Sequence, residues 1–163
     1  ADYNSNLSYS LLHRFKFFGD KKMAKVAAMY MQRAVDALDP KGDAYIVPVP
    51  CSRRSLKERG WDQMVQVCRY MDRPMLRILE NTNEELSQQK LLDRTQRMEE
   101  GREKRFSMAS AYEGMDEGYE NRPVVLVDDV TTTFSTIQAA AGCLAGMGFK
   151  DVKAAVWLYD YKA

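Results

Sequence analysis

The stretch from Val124 to Thr136, VVLVDDVTTTFST, limits what this chain can fold into more than any other. Its apolar residues, Val124 to Val127, suit a strand buried on both faces, as in a parallel sheet covered by helices. Two aspartates close that strand, and carboxylates there are costly unless a cation or a hydrogen-bond donor meets them. A run of hydroxyl residues follows, then a helix over Thr136 to Met147 that turns Ile137, Ala140, Ala141, Leu144 and Met147 inward and ends at Gly148. Val152 to Leu158 predicts the next strand. A strand, a polar loop, a helix and a strand in that order argue for an α/β domain with a mostly parallel sheet.

The same alternation occurs upstream. Residues 22–38 place Met23, Val26, Ala27, Tyr30, Met31, Ala34, Val35 and Leu38 at helical spacing, and Asp39-Pro40-Lys41-Gly42 stops the helix. Ala44 to Val49 reads as a short buried strand, which Pro48 and Pro50 end because neither can donate to a ladder. A polar loop, CSRRSLKERG, leads to a second helix from about Trp61 to Met71. Pro74 to Leu79 predicts a further strand, and Phe106 to Tyr112 a weaker one. Half of the residues from Glu80 to Arg105 are charged, which suits either an exposed helical excursion or a mobile flap.

With 163 residues, the chain is expected to form a single domain over 1–163. Its net charge of +1 gives no global field towards nucleic acid or a membrane, so anions must be met by local clusters. Direct nucleic-acid binding is not expected, and no apolar run approaches the ~18 residues that span a bilayer. Cys51, Cys68 and Cys143 are odd in number and form no CxxC pair, which predicts free thiols in a reducing cytoplasm rather than zinc or disulfides. The first residues lack the basic start and apolar region of a signal peptide.

Two loops carry chemistry. In open α/β sheets, ligands gather at the carboxyl ends of the strands. A Thr- and Ser-rich loop entering a helix offers amides and hydroxyls to an anion. The paired aspartates before it suit sugar hydroxyls or a hydrated magnesium ion. A sugar phosphate satisfies both halves; the alternative is that Asp128 and Asp129 merely cap the turn. In the second loop, Arg53, Arg54, Lys57 and Arg59 fall within seven residues, a density that suits a di-anion such as pyrophosphate, or else a solvated basic turn. A receiver domain does not fit, because only 34 residues follow Asp129, and there is no Walker A loop.

Together these residues resemble a known family. VVLVDDVTTTFST is similar to the phosphoribosyl pyrophosphate (PRPP) signature of type I phosphoribosyltransferases. With FKFFGD (15–20), IVPVPCSRRSLKERGWDQ (46–63) and QQKLLDRTQR (88–97), the order resembles the ComF family of predicted phosphoribosyltransferases from about Phe15 to Tyr159. The resemblance implies a parallel five-stranded sheet flanked by helices, a small hood, and a flexible loop at about 80–105. It implies that Asp128 and Asp129 hold the ribose hydroxyls and, through water, Mg2+. Thr131, Thr132, Thr133, Phe134, Ser135 and Thr136 would form the 5′-phosphate loop. Cys51, Ser52, Arg53 and Arg54 would form the pyrophosphate loop, and Arg94 and Arg97 would reach in from the flexible loop.

The chain departs from the family pattern in three places. The zinc-binding cysteine segment often found at the start of ComF-like proteins has no counterpart in these residues. Asp62 stands where the family has Asn, and Phe134 stands where the PRPP signature has Gly. Glycine there can take positive φ and let its amide approach the phosphate. The expectation is therefore a cytoplasmic, magnesium-dependent phosphoribosyltransferase acting on PRPP or a related ribose phosphate and an unidentified nitrogenous acceptor. A homodimer is compatible with it. The alternative is a non-catalytic protein of the same fold with a regulatory or interaction role, linked to DNA uptake (competence). His13, the single histidine, is expected to be a surface or packing residue.

Overall fold

The computed structural model describes residues 10, 14–15, 22–82, 105–110, 118–131 and 134–159. Helix α1 (Lys22–Leu38) leads into strand β1 (Tyr45–Pro48), followed by two short helices, α2 (Arg53–Arg59) and α3 (Gln63–Cys68). A hairpin-like pair, β2 (Leu79–Asn81) and β3 (Phe106–Met108), precedes β4 (Val124–Thr131), α4 (Ser135–Gly146) and β5 (Val152–Tyr159).

The main sheet is parallel in the order β1-β4-β5, with β4 in the centre. Tyr45 to Pro48 pair with Val124 to Val127, and Val124 pairs in turn with Val152 on the other side. An isolated parallel bridge from Ile46 to Met75 continues the sheet beyond β1. The α/β class and the parallel sheet are as the sequence implies, but the five-strand count is not met: three strands and this bridge are found among the described residues. The segment predicted as a strand at Pro74 to Leu79 divides its pairing. Met75 touches β1, whereas Leu79 turns away to pair antiparallel with Met108.

Side chains alternate across a strand, and β4 shows why the sheet needs cover on both sides. Val125 and Val127 pack with Ala24, Met31, Val35, Met64 and Val67 from α1 and α3. Val124 and Leu126 pack with Ile137, Ala140 and Leu144 from α4 and with Phe106 of β3. Fully burying an aliphatic side chain of this size contributes roughly 1.5–3 kcal/mol. Phe15 fills the first layer between two indoles, edge-on to Trp61 at 5.3 Å and to Trp157 at 6.0 Å between ring centroids.

The sequence reading treats Cys51 to Gly60 as loop, but its centre is helix α2. No residue of α2 is buried, so there is no apolar stripe to reveal it. Its ends hold it instead. Ser52 Oγ accepts from the Ser55 N–H at 3.1 Å, and Gly60, at φ 73°, donates its N–H to Leu56 O at 2.8 Å. Among the described residues, no helix is long and apolar enough to cross a membrane.

Candidate functional site

The carboxyl ends of β1 and β4 open into a cavity of about 640 Å³. Its lining comes from four parts of the chain: Val49 to Ser52 after β1, the inner faces of α2 and α3, Asn81 and Arg105 from the two-stranded sheet, and Asp128, Asp129 and Thr136 from the β4–α4 unit. Asp128 and Asp129 are both buried. The Asp129 N–H donates to Asp128 Oδ1 at 2.9 Å, which ties the pair together locally.

Strand alternation sends Asp129 towards the layer that holds α3, and there Gln63 meets it. The Gln63 amide Nε2 donates to Asp129 Oδ2, and its Oε1 accepts from Arg59 Nη1 at 2.5 Å. Arg59 is further anchored by Nε donating to Ser55 O at 3.2 Å. A buried amide thus links an arginine on one wall to an aspartate at the floor. This answers the cost of Asp129 at the end of an apolar strand: it has a donor at contact.

Asp62 holds the loop that precedes this wall. Its Oδ1 accepts from the Met64 and Val65 N–H groups at 2.9 and 3.0 Å, capping α3, and its Oδ2 accepts from the Cys51 N–H at 3.1 Å. The contacts use both carboxylate oxygens as acceptors, so Asp62 makes a bond to Cys51 N–H that the amide nitrogen of an asparagine in this orientation could not accept. Burial, aided by the charge and hydrogen bond of Asp62, pushes the Cys51 thiol up to about 12. Cys51 therefore lines the cavity as a neutral thiol and not as a nucleophilic thiolate. Burial also pushes up the Cys68 thiol.

On the opposite wall, Arg105 Nη1 donates to Thr136 Oγ1 at 2.8 Å. Thr136 sits in the first turn of α4, whose N-cap position is Phe134 with no side-chain cap hydrogen bond. Phe134 has φ 58° and ψ 2°, the one non-glycine residue at positive φ among the described residues. This is the left-handed conformation that glycine adopts readily, and the residue is 43% exposed. That conformation costs an L-residue roughly 1–2 kcal/mol.

Of the expected site residues, Asp128, Asp129, Cys51, Ser52 and Thr136 line the cavity. Phe134 and Ser135 stand exposed at the head of α4 and do not line it. Thr131 closes β4. Arg53 and Arg54 lie on the exposed side of α2, where Arg54 pairs with Glu58 at 2.8 Å; the cavity takes Arg59 of the same helix instead. Thr132, Thr133, Arg94 and Arg97 lie outside the described residues, as does most of the expected flexible loop. Sequence reasoning counted Arg59 in the basic cluster but assigned no site role to Gln63, Asn81 or Arg105. Gln63 and Arg59 sit in the SRRSLKERGWDQ block on either side of the break from Gly60 to Asp62 that separates α2 from α3, so no single helix face relates them.

Among the described residues, no group of three or more His, Cys, Asp or Glu side chains could enclose a metal ion. Two buried carboxylates suit a different mode, that of a magnesium ion that keeps most of its water and is shared with a substrate phosphate.

A parallel sheet whose central strand ends in paired acids, ahead of a helix, is the α/β arrangement that the resemblance to the phosphoribosyltransferases implies. The chain is similar to the Competence protein ComFC of Bacillus subtilis (strain 168), with 26% identity over 137 residues, 84% of this chain and 53% of that protein. The match agrees with the resemblance of its motifs to the ComF family, and the chain spans about half the length of that curated relative. No protein-family model matches it. The solved structure of the allosteric regulatory enzyme of purine biosynthesis aligns over 82% of this chain and 26% of that one, with 17% identity and a TM-score of 0.46.

Proposed function

We propose that the cavity binds PRPP with Mg2+ and transfers its phosphoribosyl group to a nitrogenous acceptor, releasing pyrophosphate. The observation that carries this is the buried Asp128–Asp129 pair on the cavity floor, with an arginine on each side: Arg59 on one wall and Arg105 on the other. A ligand with hydroxyls in the middle and phosphates at its two ends meets all three groups.

Asp128 and Asp129 hold the ribose hydroxyls and, through water, the magnesium ion. The ion supplies charge neutralisation to the leaving pyrophosphate. Arg59 stands on the wall after β1, beside Ser52 and Ser55, where the pyrophosphate end would lie. Gln63 fixes Asp129 before substrate arrives, so its oxygens need no reorganisation as charge develops on the sugar. Cleavage at C1 passes through an oxocarbenium-like state, which needs held carboxylates, a neutralised leaving group and excluded water rather than a side-chain nucleophile. The neutral Cys51 thiol agrees with that. Cys51, Cys68 and Cys143 are free thiols, which suits a reducing cytoplasm.

Calorimetric titration with PRPP, with and without magnesium, tests binding, and a pyrophosphate-release assay across candidate bases and amines tests transfer. Binding that depends on magnesium and release with one acceptor are expected. No PRPP binding in either condition would overturn the proposal.

A second reading has its own observation in Phe134. An aromatic residue at φ 58° beside the phosphate loop favours a protein that binds a phosphorylated ligand as a regulator, with a partner in competence as the name of the ComFC relative suggests. Tight PRPP binding without release for any acceptor would favour it.

A further inference from the structure

Arg105 enters the cavity from the hairpin side, one residue before β3, and its carbonyl accepts the Thr82 N–H at 2.9 Å, which pins its backbone to the end of β2. Its guanidinium is half-buried, lies 5.6 Å from the Phe106 ring centroid and donates Nη1 to Thr136. The Nε–H is shielded from water and has no hydrogen-bond partner among the described residues. Among the described residues, no carboxylate lies within ion-pair distance of it.

An arginine placed this way is half of an interaction. A buried donor with nothing to meet is costly, and such groups in a folded protein call for an acceptor. The planar fork of arginine matches phosphate oxygens in pairs. Thr136, which Arg105 already touches, stands in the first turn of a 12-residue helix with no side-chain cap, where the helix dipole also favours an anion.

We propose that Arg105 seats the 5′-phosphate of the sugar, with the Thr136 hydroxyl beside it, and that Arg59 serves the opposite end of the ligand. This rests on the ribose phosphate reading of the cavity. It gives the 5′ end a charged side-chain contact in addition to the loop that carries Phe134 where the signature has glycine.

The two ends can be probed separately. Ribose 5-phosphate and inorganic pyrophosphate are titrated calorimetrically into the whole chain and its Arg105→Gln and Arg105→Lys variants. Glutamine keeps a donor for Thr136 and removes the charge; lysine keeps the charge and loses the fork. Ribose 5-phosphate affinity is expected to fall about ten-fold or more in Arg105→Gln, the worth of a charged hydrogen bond, and to recover in part in Arg105→Lys. Pyrophosphate affinity should stay within about two-fold, because its seat lies across the cavity. Equal ribose 5-phosphate affinity in wild type and Arg105→Gln overturns the role of Arg105 alone, and so does a loss confined to pyrophosphate. A wild-type chain that binds neither probe overturns the ribose phosphate reading with it.

Discussion

Gly60 and Phe134 take nearly the same backbone conformation, φ 73° and ψ 5° against φ 58° and ψ 2°. Each stands within two residues of a cavity-lining side chain, Arg59 in one case and Thr136 in the other. Gly60 ends α2 in a wall whose turns are all closed: Ser52 and Asp62 cap the helices, and Gln63 joins Arg59 to Asp129. Phe134 begins α4 on a wall with no side-chain cap. The steric rule is the same at both positions, and the chain obeys it on one wall and breaks it on the other. Strain of this kind persists where the surroundings impose it, often beside a functional site. The first wall is held by its own hydrogen bonds, whereas the second joins Arg105 to Thr136 at the head of α4.

The largest effect is expected on the floor between the walls. Replacing both carboxylates, Asp128→Asn with Asp129→Asn, should weaken magnesium-dependent PRPP binding about a hundred-fold or more, the worth of two charged hydrogen bonds. Calorimetry at fixed magnesium measures it; a variant that binds PRPP like the wild type would remove the aspartates from the site.

Gln63→Leu breaks the closed wall. It deprives buried Asp129 of its donor and Arg59 of its acceptor, so stability should fall by about 1–3 kcal/mol in urea unfolding. A loss no greater than a surface substitution gives would show that the first wall does not depend on this link.

The two left-handed residues can then be exchanged in character. Gly60→Ala meets no atom within 4 Å of the new Cβ, so its cost of roughly 1–2 kcal/mol is conformational alone. Phe134→Gly should act in the opposite sense and stabilise by about 1 kcal/mol, or about 2–4 °C in Tm for a chain of this size. PRPP affinity should rise with it. A lower Tm for Phe134→Gly would mean that ring contacts outweigh the backbone strain.

The smallest effect concerns Cys51. Its folded thiol is raised to about 12, so the folded form keeps a proton that the unfolded chain releases near the ordinary thiol range. The sign follows: this contribution is full below about pH 8.5 and fades as pH rises towards 12. The stability difference between wild type and Cys51→Ala, read from urea midpoints at pH 8 and pH 10.5, should narrow at the higher pH. A constant difference would show that the thiol is not held neutral by its surroundings.

Local patterning made much of this legible. The stripe from Met23 to Leu38 becomes α1, and Val124 to Val127 becomes the centre of the sheet, because an apolar stripe and a two-sided apolar strand each have one stable use. Helix α2 went unread because it buries nothing, and its capping residues, Ser52 and Gly60, were its only signals. Arg53 and Arg54 drew attention by density, yet a helix turns each residue by about 100° from its neighbour, and Arg59 is the one that faces inward.

By itself, the sequence determined the α/β alternation, the acidic pair at the end of its central strand, and the glycine position filled by Phe134. The first two rest on interactions between residues near in sequence, and the third on the resemblance to the PRPP signature. Tertiary structure alone decided which side chains gather in the cavity around that pair. Arg105 arrives because β2 and β3 pair across more than twenty residues of intervening chain, and Gln63 reaches Asp129 because α3 packs on the face to which the strand's alternation turns that carboxylate. Contacts between distant segments depend on how whole layers pack, and no local pattern specifies them.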